Sequence, residues 1–154
     1  MEKVYRQALN DKKITGWNFW SHQSGGNHSD FQYIMVTYYN DPVKMMDGLG
    51  QESMMKYTQI AYPHLNSSQV KELFEESLAI RDMPMRLYMR QISETSDKFQ
   101  VKPGILASFD LMKATEGRFD AYEKAESEVF KPIHQKRIEQ GLMGHWSFLR
   151  TALP

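Results

Sequence analysis

Five histidines are the side chains in this sequence best suited to ligate a metal or to move a proton near neutral pH. His22 and His28 flank a glycine-containing stretch with Asp30 beside it, and two imidazoles plus a carboxylate can hold a divalent cation. Their spacing matches no familiar metal motif. A polar hairpin loop is the simpler reading, so no metal is assigned and the cofactor is left unknown. His134 stands two residues after Pro132 within a long helical stretch. A proline there removes a backbone hydrogen bond and bends the helix, and the bend can open a small cavity for the imidazole. The competing reading is a histidine hydrogen-bonded at a kink. His64 follows Pro63 at a break and reads as solvent-facing, and His145 reads as a strand-entry residue. Trp17, Trp20 and Trp146 can line an apolar cavity of the kind that holds small ligands, although aromatics on strands more often simply pack a core. The candidate ligand-binding set is His134, Trp17, Trp146 and Tyr38. Glu123, Glu126 and Glu128 sit on a helix rich in Lys and Arg and read as a solvated, salt-bridged face. No nucleophile elbow, phosphate loop, dinucleotide fingerprint or H-E-x-x-H is present, so no catalytic residues are assigned.

The elements that must carry these residues are marked by an internal similarity. Val4, Leu9, Ile14 and Trp17-x-Phe19 recur as Ile133, Ile138, Met143 and Trp146-x-Phe148, 129 residues later. Both copies read as a helix tail, a basic or glycine-containing turn and a strand that begins with Trp, which predicts a tandem repeat. Tyr5 stands in the first copy where His134 stands in the second.

In chain order, residues 4–10 end a helix, 14–21 and 31–39 form a hairpin of strands around a turn-rich loop with Gly25-Gly26, and 43–61 form a helix broken at Gly48 and Gly50. Phe31, Tyr33, Met35 and Tyr39 point to one side of the second strand, and Ile34, Val36 and Tyr38 to the other. A strand apolar on both faces needs cover on both. Asn66-x-x-Gln69 has the form of a capping box and opens a helix with a stripe of Val70, Leu73, Phe74, Ser77 and Leu78. Strands are predicted at 87–93 and, from the alternation of Ile105, Ala107, Phe109 and Leu111, at 105–113. A kinked helix spans 119–140 with Phe119, Tyr122, Val129 and Ile133 on one side; it ends at Gly141, and a last strand follows. The order β-α-β-β-α-β defines a ferredoxin-like unit. Residues 1–93 supply one without its first strand, 94–104 a linker, and 105–154 a strand–helix–strand that begins a second unit or completes the first. The expected class is α+β, and the sequence reads as a piece of a longer tandem protein, with a permuted but complete arrangement as the alternative.

Nineteen basic and nineteen acidic residues leave no net charge, so composition gives no support for nucleic-acid binding, which draws on a basic surface. The absence of Cys removes disulfides, thiol nucleophiles and thiolate metal sites. No apolar run has signal-peptide or membrane-spanning length, so the expectation is a soluble, cytoplasmic chain without membrane contact. Eleven Met residues read as core and interface filler.

Tyr122-x3-Glu126, Phe130-Lys131-Pro132-Ile133-His134, Arg137-Ile138-x2-Gly141 and the strand opening with Trp resemble the dimeric α+β barrel superfamily, in particular its uncharacterised tandem-repeat members. Ala79-Ile80-Arg81-Asp82 before a short strand is similar to the same group. The resemblance implies a four-stranded antiparallel sheet with helices on one face and its open face packed on a second sheet, so that a homodimer forms the barrel. It also implies a ligand space between helices and sheet, where some members use a His as a haem ligand or proton-transfer group. The expected function is a small-molecule-binding module for an apolar ligand. The alternatives are an assembly domain without ligand, or a cofactor-free monooxygenase-like or haem-binding enzyme.

Overall fold

The computed structural model describes residues 1–23, 31–83, 85–95 and 98–152. The chain is α+β, with helices and two small antiparallel sheets, and it divides into two units, Met1–Met85 and Arg86–Pro154.

In the N-terminal unit the first helix, α1 (Glu2–Asn10), buries Val4, Tyr5 and Ala8 on one side. It ends in a left-handed residue, Lys12 (φ 54°), whose N–H donates to the Leu9 carbonyl while Lys13 N–H donates to the Ala8 carbonyl, both at 3.0 Å. This paired arrangement is a Schellman cap, which satisfies carbonyls that the helix leaves open. Ile14 then enters the core and β1 (Gly16–Ser21) pairs antiparallel with β2 (Tyr33–Tyr38), in the register Gly16↔Tyr38 to Ser21↔Tyr33. Residues 24–30 of the loop joining them, with Gly25-Gly26, His28 and Asp30, lie outside the described residues. Asp41 caps α2 (Pro42–Asp47) through Oδ1, which accepts from Val43 N–H at 2.8 Å, and Gly48 (φ 60°) stops it. The next helix, α3 (Gln51–Ala61), lays Tyr57 against Val4, Tyr5, Ala8 and Ile14 to form the core of the unit. The capping box at α4 (Ser67–Ala79) forms as its sequence predicts. Gln69 N–H donates to Asn66 Oδ1 at 3.0 Å, and Asn66 N–H donates to Gln69 Oε1 at 2.9 Å. Val70, Phe74 and Ser77 of the expected stripe turn inward, whereas Leu73 and Leu78 remain exposed.

In the C-terminal unit β3 (Met89–Glu94) pairs antiparallel with β4 (Ser147–Thr151). A boundary at 94–104 assigns this strand to the first unit, whereas its ladder partner is the last strand of the chain. Ile92 is the extra residue of a bulge, since Gln91 faces Leu149 and Ser93 faces Phe148. No ladder forms over Ile105–Lys113, so the strand expected there is absent. Its alternation satisfies the local requirement of a strand, but none of the described strands pairs with it, and Leu106, Leu111 and Met112 are largely exposed. Correspondingly, the described strands form two two-stranded sheets.

One continuous helical stretch follows: α5 (Phe119–Ala125), a π-turn (Glu126–Phe130) and α6 (Lys131–Glu139). Lys131 N–H reaches back five residues to the Glu126 carbonyl. Pro132 lies just beyond, in the first turn of α6. In an unbroken α-helix its ring would press on the carbonyl four residues earlier, and the wider turn relieves that clash. Gly141 (φ 72°) ends α6, donating to the Ile138 carbonyl while Leu142 N–H donates to the Arg137 carbonyl, both at 2.9 Å. Among the described residues no helix is long and apolar enough to cross a membrane.

Candidate functional site: a ring stacked on Trp17 and a ring stacked on Trp146

The residues at the start of β4 converge on the long helix. The His134 imidazole lies on the Trp146 indole, with ring centres 5.2 Å apart and planes 21° from parallel. Trp146 neighbours Phe148 along the strand at 6.3 Å, and Tyr122 meets Phe148 edge-on at 5.9 Å. At the far end Arg150 Nη1 donates to Glu123 Oε1 at 3.1 Å, and its guanidinium lies 5.8 Å from the Phe119 ring centre. Glu123 is thereby drawn out of the solvated face expected of it. Glu128 stays on that face beside Lys124 at 3.9 Å.

Two polar atoms in this cluster are buried without a hydrogen bond: His134 Nδ1 and the Tyr122 hydroxyl. Burial first, and then the nearby Glu126 carboxylate, push the Tyr122 phenol up to about 12. A buried polar group left unpaired costs on the order of 1–3 kcal/mol, so His134 Nδ1 suits a further partner, whereas the Tyr122 hydroxyl has the Glu126 carboxylate beside it.

The register of the cluster is fixed by Thr95, which nothing in its polar stretch of sequence singles out. Its side chain is almost wholly buried. Thr95 Oγ1 accepts from Trp146 N–H at 3.1 Å, and Thr95 N–H donates to the Trp146 carbonyl at 3.0 Å. The ladder is thus carried one residue past β3, and the indole is held over the helix. Next to it, Gly144 lets the Phe99 ring approach to 2.6 Å of where a Cβ would stand. His145 stacks on Phe99 with centres 5.6 Å apart and hydrogen-bonds through Nε2 to Ser147 Oγ at 2.7 Å, in keeping with a strand-entry role.

The N-terminal unit repeats this pattern of contacts with other residues. Tyr5 lies on Trp17 at 4.8 Å and 21°, and Trp17 neighbours Phe19 at 6.4 Å. Phe19 stacks on Tyr33 of β2 at 5.2 Å. The Tyr5 hydroxyl donates to Met35 Sδ at 3.3 Å, whereas Trp17 Nε1 is buried without a hydrogen bond. Tyr38 does not join this group. Register places it opposite Gly16, on the other face of the sheet from Trp17, and its ring would lie 3.0 Å from a Cβ at Gly16. Burial raises its phenol pKa.

Ring contacts join helix and strand in each unit. Two surface depressions lie elsewhere in the N-terminal unit. One, of about 380 Å³, runs along α4 at Leu73, Ser77 and Ile80, and the other, of about 310 Å³, lies between Lys3, Gln7 and Ile60. Among the described residues no three His, Asp or Glu side chains are grouped to hold a metal. His22 stacks obliquely on Phe31, and His64 meets Tyr62 edge-on.

No protein-family model, curated protein or solved structure matches the chain.

Proposed function

We propose that the chain is a small-molecule-binding module of the dimeric α+β barrel kind, with its ligand held between the long helix and the β3–β4 sheet. The observation that carries this reading is the buried His134 Nδ1, without a hydrogen bond, beside the apolar surface of Trp146. A planar or compact apolar molecule with one polar group fits that chemistry. Its body replaces ring contacts, and its polar atom takes the hydrogen bond that the protein leaves open. His134→Ala is expected to leave fold and association unchanged and to weaken retention of a co-purifying molecule at least tenfold. Unchanged retention would remove His134 from the site.

The recurring succession of helix, Schellman cap and Trp supports a tandem arrangement of ferredoxin-like units. Lys12 corresponds to Gly141, Trp17 to Trp146, and α1 to α6 along its whole length at the 129-residue spacing. A second reading, an assembly domain, is favoured by a different observation. Phe19 and Tyr33 share one face of the β1–β2 sheet and stay 55% and 60% exposed. Isolated two-stranded sheets are only marginally stable, so a face of this kind gains from being covered by a second copy. Light scattering on the purified protein distinguishes the cases: a monomer across the micromolar range would remove the assembly reading.

A further inference from the structure

The long helix meets the sheet with a different set of residues from the one that its sequence periodicity selects. Counting from Tyr122 at about 100° per residue, Ile133 falls about 20° from the same line, and Val129 lies close by. An unbroken α-helix therefore presents Tyr122, Val129 and Ile133 together, which is the face expected from the sequence. In the structure Tyr122 and Glu126 are half-buried, but the inward side continues through His134 and Ile138, while Val129 and Ile133 are 53% and 49% exposed. The extra residue of the π-turn accounts for the change. It rotates everything after Phe130 by about one residue, or about 100°, and so exchanges Ile133 for His134 against Trp146. The turn lies immediately before Pro132, where a regular α-helix would bring the proline ring against a backbone carbonyl.

We infer that Pro132 is the positioning residue of this site: by holding the π-turn, it selects the helix register in which His134, and not Ile133, lies on the Trp146 ring. The inference deepens the reading of His134 as a ligand contact, but its test is read on the protein without added ligand. Failure of either idea therefore leaves the other standing. Pro132 is exposed, and its exchange for a stronger helix former removes no buried group, so the variant retains its fold.

The experiment is a carbon–proton correlation spectrum of the histidine Cε1–H groups, with the His134 signal identified by its loss in His134→Gln. Stacking on the indole displaces this signal upfield in the wild type. Pro132→Ala is expected to abolish the displacement, because the helix relaxes to the α register and turns His134 away. Deletion of Glu128 in the Pro132→Ala background is expected to restore it, because removing one residue from a continuous α-helix returns His134 to the Tyr122 line. A general loss of stability would not be reversed by such a deletion. An unchanged His134 signal in Pro132→Ala would overturn the inference, and so would failure of the deletion to restore it.

Discussion

Tyr5 on Trp17 and His134 on Trp146 are similar ring contacts with different chemistry in the upper ring. Both rings come from a helix that closes in a Schellman cap, and each lies on a Trp, Trp17 within β1 and Trp146 just before β4. In the N-terminal unit the helix is covered from outside by α3, Val4 is 4% exposed, and the Tyr5 hydroxyl has found Met35. In the C-terminal unit Ile133, at the position corresponding to Val4, is half exposed, and His134 keeps a buried nitrogen without a partner. The first stack holds a unit together; the second uses the same frame to hold a titratable group against an indole. A helix tail followed by a Trp therefore marks both stacks, but does not by itself distinguish one from the other.

The comparison breaks most visibly in stability. Tyr57→Ala removes the side chain that seals the first stack and is expected to cost about 3–5 kcal/mol. Ile133→Ala, on the uncovered helix of the second, is expected to cost under about 1 kcal/mol. Urea unfolding of the two variants measures both, and equal costs would mean that the units are packed alike. Next in size is Thr95→Val, which leaves Trp146 N–H without its acceptor and is expected to cost about 1–3 kcal/mol. Near-ultraviolet circular dichroism should show the indole signal weakened in parallel.

The caps give a smaller effect of opposite sign in the two units. Lys12 adopts a left-handed conformation that Gly141 adopts without strain. Lys12→Gly is expected to stabilise by about 0.5–1 kcal/mol and Gly141→Lys to destabilise by a similar amount, both read from thermal midpoints. Smallest is a pH effect confined to the second cluster. The Tyr122 phenol is raised in the folded state to about 12 from its ordinary value of 10. Its contribution to stability is therefore full below pH 10 and is lost as pH rises through about 12, because the unfolded chain ionises first. Tyr122→Phe should abolish that component of alkaline destabilisation, as followed by unfolding curves across this range.

What could be read from the sequence was whatever a few neighbouring residues decide among themselves. Asn66 and Gln69 cap each other across one turn, Gly48 and Gly50 break a helix where they stand, and Gly141 ends one. The pairing of Trp-x-Phe with a preceding helix was equally legible because it occurs twice. Thr95 was not, since its partner lies 51 residues away and nothing local distinguishes it from the serines and lysines around it. The inward turn of His134 was hidden for a different reason. Helical periodicity assumes one rotation per residue, and a π-turn before Pro132 adds a step that the apolar pattern of Val129 and Ile133 argues against. At 105–113 the alternation was visible, but the lack of a partner among the described strands was not, because a strand depends on its neighbours as much as on its own residues.

The most direct test of the second stack as a ligand site is a native mass spectrum of the untagged protein as purified, recorded beside His134→Tyr, which rebuilds the Tyr-on-Trp arrangement of the first stack. The expected result is a stoichiometric additional mass on the wild type that is absent from the variant. An additional mass carried equally by both, or by neither, would contradict the assignment of ligand binding to His134 and leave the two stacks with the same structural task.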